Sequence, residues 1–284
     1  MLPQSVQALI QLALAEDIGR GDATSAAVLP PGTAARAVVL VKEDARVAGL
    51  PVVAAVFHAV DPGVVVTPLV AEGADVAAGT AVCRVEGDAI AILGAERTAL
   101  NFLARLTGIA TLTRSAVAQL AGTKAKLLDT RKTTPGWRYL EKYAVRVGGG
   151  MNHRFGLDDM ILIKDNHIAL AGGVRAAVAR ARAHAGLAQK IEVEVETIDQ
   201  LREALASGAD LILLDNMDLA TMRQAVAEAA GRVPLEASGN MTLDRLAAVA
   251  ATGVDYISMG ALTHSATSID VSLDVELAAP GAGG

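Results

Sequence analysis

From Ala125 onward the chain carries six short apolar runs, and nearly every one of them closes on a chemically useful polar group. The runs are Ala125 to Asp129, Met160 to Lys164, Ile191 to Glu196, Leu211 to Asp215, Pro234 to Ala237 and Tyr256 to Met259, and amphipathic stretches separate most of them. Short buried runs alternating with helical patterns are the mark of βα units on a parallel sheet. In βα barrels the carboxyl ends of the strands build the active site. The closing groups here are Asp129 to Lys132, Lys164, Glu194, Asp215, Ser238-Gly239-Asn240 and Gly260. Six units fall short of the usual eight, so the expectation is an α/β barrel that is incomplete or closed by other elements. The alternation Glu192, Glu194, Glu196 fits a strand with one parity facing inward. Carboxylates there need cations, and Arg131, Lys132, Arg154, Lys164 or a divalent metal would supply them.

The first third of the chain has a different rhythm. Val6, Leu9, Ile10, Ala13 and Leu14 sit at helical spacing, and Asp17 to Asp22 breaks the pattern. Between Ala35 and Glu86, β-branched runs at Ala37 to Val41 and Val64 to Pro68 flank a helix-like Pro51 to Val60, which predicts an α+β sandwich-like domain. The run Glu72 to Thr80 has the rhythm of a biotinyl or lipoyl carrier hairpin. No lysine lies between Glu43 and Gly122 to carry a modification, so it reads as a structural hairpin. Glu96 to about Leu120 is helical again.

Composition narrows the function classes. The chain is 284 residues long and 52% hydrophobic, enough for a large core, but only 2% aromatic and formally −6. Few rings and net negative charge argue against nucleic-acid binding. Asp129 to Asp165 is the exception, with seven Lys or Arg against five Asp or Glu, where the whole chain has 25 against 31. A local basic patch on an acidic protein favours a focused pocket for a small polyanion. No run of eighteen apolar residues and no basic leader appear, so neither a membrane span nor export is expected. The single cysteine, Cys83, reads as a buried hydrophobe in a reducing cytoplasm.

Within the basic segment, Arg131, Arg154 and Lys164 are the anion readers, because guanidinium forks suit carboxylates and Lys gives a mobile point charge. Ser238-Gly239-Asn240 precedes a helix expected near Thr242, and Gly260-Ala261 holds the matching place after the last strand. Backbone N–H groups at such turns cradle phosphate. Glu194 and Asp215, ending neighbouring strands, suit Mg²⁺. Lys164 at a strand end also suits a Schiff-base aldolase, an alternative that borohydride trapping would separate.

Many ordered motifs resemble one family: Glu16 to Asp22, Glu96-Arg97-Thr98, Leu106 to Thr111, Thr130 to Gly136, Gly148 to Arg154, Leu162 to His167, Leu214-Asp215-Asn216 and Gly260 to Ser265. Together they are similar to quinolinate phosphoribosyltransferase, the carboxylating nicotinate-nucleotide pyrophosphorylase. The resemblance implies an N-terminal α/β domain over 1–110, completed by 266–284, and an open α/β barrel of the type II phosphoribosyltransferases over 111–265. It implies transfer of phosphoribosyl from phosphoribosyl pyrophosphate to quinolinate with loss of CO₂, in NAD biosynthesis. It further implies Mg²⁺ and a homodimer or larger oligomer in which Arg97 reaches the partner's site. By the same likeness Arg131, His153, Arg154 and Lys164 receive the pyridine dicarboxylate, with Lys132 in the basic pocket. Glu194 and Asp215 face the ribose and Mg²⁺-pyrophosphate, and Ser238, Gly239, Asn240, Gly260 and Ala261 hold the 5-phosphate. Lys164 and His153 are the two candidates for protonating C2. Noncatalytic molybdenum-transport accessory proteins share the overall pattern, and the intact Arg131 to Gly136 and Asn152-His153-Arg154 set favours quinolinate chemistry over them.

Overall fold

A computed structural model describes residues 2–276. The described residues form two compact units: 2–112 with 134–148 and 266–276, and 113–133 with 149–265. Residues 134–148, which the sequence reading leaves in the barrel segment, belong with the first unit, and 277–284 of the expected C-terminal completion lie outside the described residues.

The first unit begins with helix α1 (Gln4–Ile18), which buries Val6, Ile10 and Leu14 at four-residue spacing. Next come α2 (Ala23–Val28), β1 (Ala34–Val41), β2 (Ala45–Arg46), α3 (Leu50–Val60), β3 (Val65–Pro68), β4 (Asp75–Val76), β5 (Thr80–Asp88) and the long α4 (Ala89–Ala118). Asp22 caps α2 through the N–H groups of Thr24 and Ser25. Glu72 reaches the start of α3, accepting from the N–H groups of Gly49 and Leu50 at 2.6 and 3.0 Å. The expected hairpin over Glu72 to Thr80 does not form. Gly73 and Gly79 turn the chain at positive φ so that β4 pairs with β2, while β5 departs to pair with β1 and β3.

In the second unit α4 leads to β6 (Lys126–Leu128). The excursion through α5 (Arg138–Val147) belongs to the first unit, and the chain then returns through β7 (Ile161–Ile163), α6 (Asp165–Ala171), α7 (Val174–His184), β8 (Ile191–Val195), α8 (Ile198–Ala206), β9 (Leu211–Asp215), α9 (Leu219–Ala229), β10 (Leu235–Ser238), α10 (Leu243–Ala250), β11 (Tyr256–Ser258) and α11 (Ala261–His264). Finally β12 (Val271–Glu276) closes the first unit's sheet in the order β12-β1-β5-β3, antiparallel to β1.

The six expected strands form one parallel sheet, ordered β6-β11-β10-β9-β8-β7. Among the described residues its edge strands β6 and β7 do not pair with each other, so the barrel is open. Side chains alternate by face. Val193, Val195, Ile212, Leu214, Ala237 and Ile257 are fully buried on one face, the face that packs under helices. Leu162, Glu192, Glu194, Leu213, Asp215, Glu236, Ser238 and Ser258 share the other face, by strand parity and register. Beside β6, Met151 forms an isolated parallel bridge with Leu128, so the segment running on to Arg154 starts as one extra rung of the sheet.

Candidate active site

The second face of the parallel sheet is the floor of a cavity of about 830 Å³. Arg131, Lys132, His153, Arg154, Lys164, Glu194, Asp215, Ser238, Gly239, Asn240, Gly260 and Ala261 all line it. Arg97 does not, since it stands exposed on α4 in the first unit. Glu196, expected to face inward with Glu192 and Glu194, lies beyond the end of β8 and is exposed, because the strand stops at Val195 and Thr197 starts the next helix as its cap.

One side of the cavity is cationic. Fully buried Asp129 ties down the segment that presents its residues: it accepts from the His153 N–H at 2.8 Å and from Asn152 Nδ2 at 2.6 Å. Arg154 is 9% exposed and donates Nη1 to the Met160 carbonyl. Burial and then the charge of Arg131 hold its pKa below the usual guanidinium value, opposed by Glu192 and Asp159. The two guanidiniums lie close enough to repel, which concentrates positive charge on this wall. Arg131 Nε is buried with no hydrogen-bond partner, a donor waiting for an acceptor. At the end of β7, Lys164 pairs with Glu194 at 2.6 Å. A Schiff-base lysine needs the opposite setting, an apolar pocket or another cation.

The other side carries carboxylates and turns. Asp215 accepts from Asn216 Nδ2 at 2.7 Å, and Asn216 Oδ1 accepts from Asn240 Nδ2 at 3.1 Å, joining the ends of β9 and β10. Asn216 and Asn240 have φ of 53° and 48°, and Gly239 has φ of 94°. A Cβ on Gly239 would collide with the Asn216 side chain and lie 2.9 Å from its backbone nitrogen. Only glycine keeps this turn closed on its neighbour and open to a ligand. Across the floor, a Cβ on Gly260 would come within 3.0 Å of the Lys132 side chain and 3.2 Å of the His264 ring, a tight but less severe approach.

Two residues below this rim lies a feature the sequence reading missed. Glu236, on the same parity as Ser238, is buried and lines the cavity. It meets Glu192 from the far side of β9, and His153 Nε2 stands between them, 3.1 Å from Glu192 and 3.4 Å from Glu236. Neither approach is an aligned hydrogen bond, and all four carboxylate oxygens are buried without one. Burial works against a charged imidazole, and the two carboxylates outweigh it, pushing the His153 pKa up. Burial also raises Glu192, with His153 opposing and Glu236 adding to the rise. The signal for Glu236 was in the sequence, a carboxylate inside an apolar run two residues before Ser238. His264, also on the lining, was visible only as part of a longer motif.

Comparison with known proteins places nearly all of the chain. Residues 22–107 match the model of the quinolinate phosphoribosyl transferase N-terminal domain, and residues 109–274 match that of its C-terminal domain. A probable nicotinate-nucleotide pyrophosphorylase (carboxylating) of Bacillus subtilis is 47% identical, covering 92% of this chain and 90% of its own length. One from Synechocystis is 44% identical, covering 94% and 91%. The solved nicotinate-nucleotide pyrophosphorylase of Francisella tularensis superposes with a TM-score of 0.93 at 41% identity, covering 97% of this chain and 98% of that one. The corresponding Ehrlichia chaffeensis enzyme gives 0.91 at 37%, with 97% and 99% covered. With both domain models matched in order and nearly full-length relatives on every side, the chain belongs to the quinolinate phosphoribosyltransferase family.

Proposed function

We propose that this chain transfers phosphoribosyl from phosphoribosyl pyrophosphate to quinolinate, releasing pyrophosphate and CO₂ and giving nicotinate mononucleotide for NAD biosynthesis. The observation that carries this is a single cavity in which Arg131, Arg154 and Lys164 oppose Glu194, Asp215 and the Gly239 turn. One wall suits a flat dianion and the other an activated sugar phosphate. The relatives are named for this reaction.

The charges follow the bonds that change. Departure of pyrophosphate from the sugar C1 builds positive charge there, and the carboxylates of Glu194 and Asp215 stabilise it. The pyridine nitrogen forms the new bond to C1 and becomes a pyridinium. That ring takes the electron pair when the bond from C2 to its carboxylate breaks and CO₂ leaves, and C2 then accepts a proton. Arg131 and Arg154 fix the ring by its carboxylates, and Lys132 adds positive charge to the same pocket. Lys164, the mobile ammonium at the end of β7, is the proton donor to C2. Ser238, Gly239, Asn240, Gly260 and Ala261 hold the 5-phosphate through backbone N–H groups.

Glu194 and Asp215 offer oxygen donors only, the set a hard cation takes, so they fit Mg²⁺. Held by these two carboxylates, Mg²⁺ would supply positive charge for the leaving pyrophosphate. Arg97, exposed and outside this lining, is assigned to the cavity of a second subunit in a homodimer or larger assembly. Among the described residues no helix is long and apolar enough to cross a membrane. The single buried thiol of Cys83 supports a reducing cytoplasm as the compartment. The test is to incubate the protein with quinolinate, phosphoribosyl pyrophosphate and Mg²⁺, with nicotinate as comparison substrate. Nicotinate mononucleotide with equimolar CO₂ from quinolinate alone is expected, and no product from quinolinate ends the proposal.

A further inference from the structure

His153 has two ring nitrogens, and both are engaged inside the floor. The backbone N–H of Arg154 donates to Nδ1 at 2.7 Å. That nitrogen therefore offers a lone pair, and the ring's one proton sits on Nε2. Nε2 faces the oxygens of Glu192 and Glu236, and the imidazole is only 9% exposed. Those oxygens have no aligned donor, and the Nε2 edge, 3.1 and 3.4 Å away, is the polar group set between them. A substrate atom that took this hydrogen would leave two buried carboxylates facing each other with nothing between.

We infer that His153 is not a proton donor to the substrate but a neutral, doubly held positioning group, with Glu236 and Glu192 as the positioning residues that set its ring. Its Nδ1 fixes the backbone of Arg154, and hence the guanidinium that reads the substrate carboxylate. A second ring proton, which the carboxylates favour, would have to enter Nδ1 against the Arg154 N–H at 2.7 Å. The same geometry decides against a metal. His153, Glu192 and Glu236 have the composition of a three-ligand site, but a metal on Nε2 needs the proton moved to Nδ1, where the Arg154 N–H already points.

The kinetic arm of the test rests on the quinolinate reading, and the spectroscopic arm does not, so the two fail separately. The protein has five histidines, and His153→Gln assigns the signal of interest in ¹⁵N-labelled wild type. The expected spectrum at neutral pH has Nε2 protonated and Nδ1 unprotonated, unchanged when Zn²⁺ or Mn²⁺ is added. An imidazolium, an Nδ1–H tautomer or a metal-shifted Nε2 overturns the inference. Glu236→Gln keeps an acceptor for Nε2–H and is expected to preserve the tautomer, whereas Glu236→Leu is expected to mix the tautomers and raise KM for quinolinate more than it lowers kcat. In His153→Gln, CO₂ and pyrophosphate are expected to appear in a one-to-one ratio. Pyrophosphate without CO₂ shows that His153 acts in the decarboxylation step itself and sinks the proposal, whatever the total rate.

Discussion

Glu141 and Glu192 are the same residue at the same depth, both fully buried, one in each unit, and they are treated in opposite ways. Glu141 on α5 receives four donors: Arg105 Nε and Nη2 at 3.3 and 2.9 Å, and the Thr134 N–H and hydroxyl at 3.1 and 2.9 Å. Glu192 on β8 receives no aligned donor and shares one imidazole edge with Glu236. In the antiparallel unit this carboxylate is ringed by donors. The parallel unit leaves the Glu192 and Glu236 oxygens under-satisfied beside the cavity, with the His153 edge between them. Unpartnered polarity on this scale marks chemistry, since architecture alone would select against it.

The contrast is breakable. Glu141→Leu strands the Arg105 guanidinium and is expected to cost roughly 3–5 kcal/mol in urea unfolding, whereas Glu192→Leu is expected to be neutral or stabilising while lowering activity. Equal losses in both would show that the two carboxylates serve the same purpose. A smaller effect is expected in catalysis. Arg131→Ala is predicted to lower kcat/KM for quinolinate by about 10²–10³-fold, on the order of removing one charge-stabilising donor. KM for phosphoribosyl pyrophosphate should stay near wild type, and a shared loss would dissolve the two-wall division of the cavity. Gly239→Ala reverses that selectivity. Its Cβ meets Asn216, and steady-state kinetics should show weakened phosphoribosyl pyrophosphate binding, with a stability cost of about 1–3 kcal/mol for the strained φ. The least effect is expected at Cys83. Burial pushes its thiol up to about 12, so at pH 8 only about one part in 10⁴ is thiolate and thiol reagents should label it only after unfolding. Rapid labelling of the native protein would mean that β5 opens far more readily than the rest of its sheet.

The parallel unit was easy to read because each strand is a short apolar run stopped by a polar residue, and Leu211–Asp215 appears with both ends as expected. Strands of two residues leave no such trace. β2 and β4 exist because Gly73 and Gly79 aim Asp75–Val76 at Arg46, a long-range pairing that local pattern cannot announce, since the same run has the local rhythm of a hairpin. The rim of the site was legible for a similar reason. Lys164, Glu194, Asp215 and Ser238 punctuate their strands and stand out against apolar neighbours. Glu236 sits inside its strand and gains its meaning from Glu192, two strands away, and His153, on a different segment altogether. Arg97 illustrates the remaining gap, because an exposed arginine on a helix has no local feature that tells a solvated charge from one assigned to another subunit.

Every group on the cavity floor depends on strand parity, which makes the floor far less tolerant of length changes than of substitutions. One residue inserted early in β9 would turn Ile212 and Leu214 toward the substrates and press Leu213 and the Asp215 carboxylate against the helices. No compensating mutation at a single position could undo that inversion. Natural variation in this half of the molecule should therefore spare the strand lengths and collect its insertions and deletions in the connections on the far side of the sheet, such as 185–190 and 230–234.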